Sequence, residues 1–400
     1  MTGKIAGRFI DLHVIQAVPF ANLNRDDTNS VKTVQFGGTS RTRISSQSWK
    51  RAIRMDIEHT DGNGTLRTRR LADALARHLQ EQHDWPDALA TRAGIYTVMA
   101  SSIGAKAPKP KKSEPADVEA DSEVPWGTKA MVYIPATAIA ELAIAHRAAL
   151  EAAPELKNDD KKTADAAKSV LPADQIDSIL RAKNGVINLM GRMLAELDGA
   201  GVDGAVQVAH VISTHATDIE IDYFSAVDDV TAAWGDQTGS AHMGHNEYSA
   251  GTIYRYCTID LNELLRNVGG VDDARELTQA FLTAAIGAMP QAKKNSTAPH
   301  TYPDLIAISV RADRPLSYVS AFEQPVTQDA AEGFNTASIR TLDAYAGALH
   351  RLMGTARTPL RRGWAGTTTQ EVAQLGDRFE SIDELLAAVL ADAFTTRSQA

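Results

Sequence analysis

The sequence predicts an α+β protein built on a ferredoxin-like β-α-β-β-α-β core that one large helical insertion interrupts. Three observations lead there: strand-like stretches at both ends of the core, two amphipathic helices between them, and a long helix-patterned segment after the first helix. At 400 residues the chain exceeds what one hydrophobic core usually fills, so a main domain with a substantial insertion is the natural organisation.

In Arg8 to Val18, Ile10, Leu12 and Val14 alternate with Asp11 and His13, the pattern of a half-buried strand. A polar, glycine-containing loop follows. Ser45 to about His59 reads as a helix capped by Ser45 or Ser46. Strands are predicted at Val206 to Thr214 and at Glu247 to Leu261, where Ile253, Tyr254, Tyr256 and Ile259 favour extended backbone. Asp272 opens the second helix, whose Ala274, Leu277, Phe281, Ala284 and Ala288 recur at helical spacing until Met289 meets Pro290. Leu305 to Val310 is the last strand of the core. The insertion, roughly 60–204, is mainly helical, with Leu71, Leu75 and Leu79 on one face and Ile139, Leu142 and Ala143 on another. Within it Ala105 to Pro125 is proline-rich and charged, with almost no apolar content, and reads as a disordered surface loop. Beyond Gln328 the pattern returns to helices, with Ile339, Leu342, Ala346, Leu349 and Met353 in register and a Ser381 to Glu384 capping box.

Composition excludes several classes. No stretch is long and apolar enough for a membrane helix, and Asp11, His13 and Gln16 break the N-terminal apolar run, so neither a membrane span nor a signal peptide is expected and the protein should stay in the cytoplasm. The single cysteine, Cys257, rules out internal disulfides and multi-thiolate zinc sites. A formal charge of -9 argues against a nucleic-acid binder until its distribution is considered. Up to Arg54 there are nine basic side chains and three acidic ones, a local net of +6, leaving -15 for the remainder.

The basic region has an internal logic. Phe36 to Arg43 (FGGTSRTR) joins two glycines to Arg41 and Arg43 and leads into SSQSWKRAIR. A helix N-terminus presents N–H groups and partial positive charge that suit a phosphate. Along that helix Gln47, Lys50 and Arg54 share one face, and Trp49, Ala52, Ile53 and Asp56 the other. An ordinary amphipathic helix with a solvated basic face would show the same spacing. The basic glycine loop tips the balance toward phosphate.

The blocks NRDD (Asn24 to Asp27), FGG (Phe36 to Gly38), RTRISSQSWKRAIR (Arg41 to Arg54), VDGAVQVAHVISTH (Val202 to His215), IDYFSAVDD (Ile221 to Asp229) and GSAHMGHNEYSAGTIYRY (Gly239 to Tyr256) closely resemble the repeated backbone subunit of the type I-E CRISPR Cascade complex. PLSYVSAFEQ (Pro315 to Gln324) extends a weaker likeness, so the resemblance covers nearly the whole chain. It implies a hand: an RRM-like, ferredoxin-like palm (1–59, 205–217 and 247–328), a helical fingers insertion (60–204), a thumb β-hairpin (218–246), and a C-terminal helical region (329–400) packed on the palm. It also implies head-to-tail stacking of copies along a CRISPR RNA, with each thumb displacing one nucleotide and the guide presented to a target DNA strand. The implied partners are thus the CRISPR RNA, target DNA through the guide, further copies of the chain and other Cascade subunits, with no membrane, cofactor, metal or catalytic residue.

By the same resemblance Ser45, Gln47 and Lys50 match phosphate-holding positions, and Arg25 and Lys32 match nearby basic contacts. Met193 and Phe224 match wedge residues at the displaced nucleotide, Tyr223 and Ser225 flank the thumb there, and Lys293 and Lys294 match a basic palm loop. Phosphate contacts carry no sequence information, as a subunit serving any guide requires. Between Asp218 and Asp236 there are six acids (Asp218, Glu220, Asp222, Asp228, Asp229, Asp236) and no lysine or arginine. The thumb therefore cannot grip phosphate by charge, and its acids are expected to face the basic surface of the next copy.

Other signals carry less. Gly199 to Gly204 fits GxGxxG but follows a helical stretch, which argues against a dinucleotide site. His242 and His245 lack a third metal ligand. Asp26 and Asp27 open one rival reading, a metal-dependent ribonuclease like related type III backbone subunits that cut target RNA with a palm-loop aspartate; the alternative is that these acids only orient Arg25 or Arg43. A general single-strand binder would need aromatic stacking platforms, and aromatics are 6% of the chain.

Overall fold

The computed structural model describes residues 5–106, 127–145, 160–227, 240–328 and 332–396. The chain divides into two compact units, one formed by Met1–Ile57 with Ala205–Ala400 and the other by Glu58–Gly204.

The first unit is a ten-stranded sheet with both faces covered. Its centre runs Leu305–Arg311, Phe9–Ala21, Ser240–Asp260 and then Val206–Val208 with Val211–Ser213, each neighbour antiparallel. In chain order these are the fourth, first, third and second strands that periodicity predicts. Three additions go beyond that expectation. Arg361–Gly366 pairs with Leu305–Arg311, Asp377–Arg378 lies parallel beyond it, and the stretch expected as a loop before the first helix is a hairpin, Thr33–Phe36 with Thr39–Ile44. A two-residue Gly37-Gly38 turn with φ of 60° and 72° joins its strands, the geometry that twisted hairpins favour.

On one face Leu12, Val14 and Cys257 meet Trp49 and Ile53 of helix Ser46–Asp61 and Ala285 of helix Val271–Gly287. Truncating a buried side chain such as Trp49 typically costs about 3–5 kcal/mol. Asp56, placed by spacing on the packed side, is exposed, and Ile57 completes that face. The second helix starts at Val271 after Gly270, so Asp272 lies in its first turn and is not the cap. Buried Arg255 lies between the two helices. Its guanidinium is 4.6 Å from the Trp49 ring centre and donates to the Ala285 and Ile286 carbonyls at 2.9 and 3.1 Å, where the helix end carries partial negative charge. Burial lowers its pKa to about 10, which still leaves it charged at neutral pH.

The other face carries Ile15, Tyr254, Leu305 and Ala307, packed against Tyr318, Phe322, Ile339, Leu342 and Trp364. The strand Phe9–Ala21 is therefore buried on both sides, where alternation predicts only one. Its polar residues are held inside. The His13 ring stacks on Tyr318 at 4.1 Å and Nδ1 is 2.9 Å from the Tyr254 hydroxyl, while Asp11 accepts from the Tyr256 hydroxyl at 2.9 Å and the Leu316 amide at 3.0 Å. Desolvation raises Asp11 to about 6 and lowers His13 to about 3. The helix Gly333–Met353 and the Ser381 cap, whose hydroxyl accepts from the Glu384 amide at 3.2 Å, appear where the pattern puts them.

The second unit packs helices Leu71–His83, Asp87–Ala100, Ala138–Ala145, Asp160–Val170 and Ala173–Arg181 around one apolar cluster. Leu71, Leu75, Leu79, Ile139, Leu142 and Ala143 are all buried in it. Of the segment expected as a disordered loop, Ala105–Lys106 pairs with Gly127–Thr128, and the rest, 107–125, lies outside the described residues. No helix among the described residues is long and apolar enough to cross a membrane.

Candidate nucleic-acid interface

The long strand Ser240–Asp260 outruns the sheet and pairs with Ile219–Val227 to form a projecting hairpin. Three separate segments converge at its root, each through polar side chains. The loop after Ala21 is first. Asn24 Oδ1 accepts from the Ser45 amide at 2.8 Å, tying this loop to the start of helix Ser46–Asp61. The Val31 amide donates to Glu247 Oε2 at 3.1 Å, tying its other end to the hairpin. The third segment is the turn before Lys294–Thr297, where Lys293 donates to Asn246 and its Nζ stands 5.3 Å from the Tyr248 ring centre.

Gln47 is exposed, while Lys50 and Arg54 are half-buried on the outer side of the helix whose inner side holds Trp49, Ala52 and Ile53. Ser45 caps this helix, its hydroxyl accepting from the Ser48 amide at 3.3 Å. The Ser46 amide donates to His210 Nδ1 at 2.9 Å. His210 is a member of this site that sequence reasoning misses, because nothing local signals a contact across 164 positions. Arg25 is exposed and donates to Asn29 Oδ1 at 2.9 Å; Lys32, Arg43, Lys293 and Lys294 are half-buried. Burial lowers the pKa of Lys293, the charge of Arg25 lowers it further, and Glu247 opposes both. Arg25 and Lys293, 268 positions apart, thus share one electrostatic environment.

Arg41 requires a correction. Expected as a phosphate contact, it is fully buried, and its guanidinium donates to the carbonyls of Ser213 at 3.0 Å, Phe322 at 2.9 Å and Glu323 at 3.3 Å. Burial depresses its pKa. It fastens the glycine hairpin to the body. Gly37 shows how close that approach is, since a Cβ there would lie 1.5 Å from the Glu323 carbonyl oxygen.

On the projecting hairpin Tyr223, Phe224 and Ser225 are exposed. Successive residues of a strand point to opposite faces, so Tyr223 and Phe224 cannot address one point from the same side. Tyr223 shares its face with Ile221 and Met243, and it is 76% exposed. Phe224 pairs with Gly244, and its ring lies over the position a Cβ there would occupy, 2.6 Å away. Asp218, Glu220 and Asp222 are exposed, whereas Asp228, Asp229 and Asp236 lie outside the described residues. Met193 belongs to the second unit and is 90% exposed. Its neighbour Arg192 is buried and donates to the carbonyls of Ala200, Tyr133, Leu180, Ala182 and Arg181, which anchors the turn that exposes Met193.

Asp26 organises its own turn: Oδ1 accepts from the Thr28 amide and hydroxyl at 2.9 and 2.8 Å and from the Ser30 amide at 2.9 Å. The Thr28 hydroxyl is the main cause of its lowered pKa. Asp27 is exposed. Among the described residues no group of three or more His, Cys, Asp or Glu side chains could hold a metal ion. The strand aromatic Tyr254 is buried, and Tyr318, from the segment after Leu305–Arg311, is buried against the same face, so the described residues of this sheet face offer no open stacking platform there.

A family profile for CT1975-like proteins matches residues 10–388. Two solved chains are similar over 96% of this chain and 100% of their own length. One, from a CRISPR RNA-guided surveillance complex, pre-nicking, is 39% identical with a TM-score of 0.84. The other, from a CRISPR RNA-guided surveillance complex, is 34% identical with a TM-score of 0.75. No curated protein matches.

Proposed function

The chain belongs to the family of CT1975-like proteins, and from that premise we propose that it is a guide-binding backbone subunit of a CRISPR RNA-guided surveillance complex, of type I-E. The observation that carries this reading is the convergence at the hairpin root: a helix N-terminus, a basic loop and a lysine turn, remote in sequence, are hydrogen-bonded into one surface. Its exposed or half-buried groups are Arg25, Lys32, Arg43, Gln47, Lys50, Arg54, Lys293 and Lys294. Lysine, arginine and amide side chains hold phosphate without reading bases, which suits a guide of any sequence.

In this reading the four central strands with helices Ser46–Asp61 and Val271–Gly287 on one face are an RRM-like palm whose other face is closed by its own C-terminal region. RNA then lies along the palm's edge at the hairpin root. The projecting hairpin acts as the thumb. Phe224 is its wedge, and Tyr223 with Ile221 and Met243 faces the next copy of the chain. Copies stack along the CRISPR RNA and present it for pairing with target DNA. In this reading the subunit does no chemistry: Oδ1 of Asp26 is taken up by its own turn, which favours a structural role for that residue over the ribonuclease alternative through Asp26.

Titrating the purified protein with several unrelated single-stranded RNAs of equal length tests the reading. Equal affinities that fall steeply with salt, and fall again in Lys50→Ala, are expected. Strong preference for one sequence, or binding indifferent to salt, would overturn it.

A further inference from the structure

Glu247 has no assigned role in guide binding, yet it stands where the basic segments meet. Its carboxylate accepts from the Val31 amide at 3.1 Å, and its own carbonyl accepts from Asn22 Nδ2 at 3.1 Å. Asn22 Nδ2 also donates to the Asn29 carbonyl at 3.2 Å, and Asn29 in turn receives Arg25. Both ends of the Arg25 loop are therefore fastened to this one residue. The residues on either side of it, Asn246 and Tyr248, point to the other face of the strand and hold Lys293 there, close enough for the charge of Arg25 to lower its pKa and that of Glu247 to raise it.

We propose that Glu247 is a positioning residue that fixes the Asn22 to Val31 loop on the hairpin root, so that Arg25 and Lys293 form one two-cation seat for a single backbone phosphate. The assignment rests on the RNA-binding reading and adds to it a defined seat and the residue that builds it. The chemistry suits the ligand. A guanidinium offers a planar fork and an ammonium a compact charge, and a phosphate presents two non-bridging oxygens to receive them. Charge alone would make Glu247 repel RNA. Its two possible effects thus have opposite signs: if it only repels, removing it tightens binding, and if it positions the loop, removing it weakens binding despite the relief of repulsion.

Fluorescence anisotropy of a labelled single-stranded RNA over a salt series separates these. Glu247→Ala should bind roughly tenfold more weakly, the loss expected for one charge-assisted hydrogen bond, with the salt slope reduced by about 0.7 for each phosphate no longer neutralised. Glu247→Gln keeps an acceptor for the Val31 amide and should bind at least as tightly as the parent. In an Arg25→Ala background Glu247→Ala should cost far less, because the loop no longer carries the cation it positions. Tighter or unchanged binding by Glu247→Ala, or full additivity with Arg25→Ala, would overturn the proposal. Should Glu247→Ala fail to fold, the Arg25→Ala and Lys293→Ala cycle decides: coupling supports a shared seat and additivity refutes it. A parent protein that binds no RNA refutes the underlying reading, whereas a binding parent with an indifferent Glu247 refutes only the seat.

Discussion

Replacing Arg41 by alanine should unfold the glycine hairpin from the body and leave the phosphate-binding surface without a direct loss. Three carbonyls, of Ser213, Phe322 and Glu323, lose a charged donor. A hydrogen bond to a charged group contributes about 1.5–3 kcal/mol. The bond to Glu323 is the longest and counts least. Relief of the buried guanidinium, whose cost appears in its depressed pKa, offsets part of the sum, so the net loss should be about 3 kcal/mol. For a unit of this size each kcal/mol moves the thermal midpoint by about 2–4 °C, so the expected fall is roughly 6–12 °C. Arg51→Ala is the control, since Arg51 is exposed and such changes usually stay within about 0.5 kcal/mol. Circular dichroism melts of both variants, with RNA anisotropy at two salt concentrations, provide the test. An unchanged midpoint together with a reduced salt slope would show that Arg41 meets phosphate and does not anchor the hairpin.

Further outcomes follow from other residues. Lys50→Ala should lower the salt slope of RNA binding by about 0.7 per bound copy, and an unaltered slope would place Lys50 outside the interface. Gly244→Ala should displace the Phe224 ring, since a Cβ there would meet it at 2.6 Å; it should impair assembly on RNA with the salt slope little changed, and normal assembly would argue against a wedge at Phe224. Asp26→Ala should leave complementary RNA and Mg²⁺ as inert as with the parent, and a cleavage activity lost in this variant would restore the ribonuclease reading. His13, held at about 3 by burial, stays neutral in the folded state while the unfolded chain takes up a proton below its ordinary value of 6.5. Its contribution is therefore full above that pH and falls by about 1.4 kcal/mol per unit as pH drops toward 3. Asp11, raised to about 6, acts the other way between 3.8 and 6, where the folded state holds a proton that the unfolded one lacks. The two slopes nearly cancel between about 6 and 4, so His13→Gln, which leaves that of Asp11, should show urea midpoints that rise relative to the parent's as pH drops from 7 to 4, and parallel curves would contradict this.

What is legible in the sequence is periodic or local. Trp49, Ala52 and Ile53 announce the inner side of the first helix, and Ser45 and Ser381 announce their caps by type and spacing. Arg41 misleads because sequence shows charge but not burial, and an arginine beside glycines looks the same whether it meets phosphate or three carbonyls. The hairpin at Gly37-Gly38 does carry its signal, a glycine pair between two extended runs, but the basic residues around it suggest a loop. Arg361–Gly366 shows too little alternation to stand apart from the helices on either side. His210 and Glu247 are illegible for a different reason. Each acts through a backbone amide far along the chain, Ser46 and Val31, and such pairings leave no trace in composition or period.

The central claim is that several copies of this chain share one guide. Expressing it with the other subunits of its complex and a CRISPR array, then weighing the purified assembly by native mass spectrometry and sizing its RNA, addresses this most directly. A single RNA species of defined length carrying more than one copy of the chain is expected. Recovery of the chain with one copy per complex, with RNA of random length, or with no RNA would contradict it.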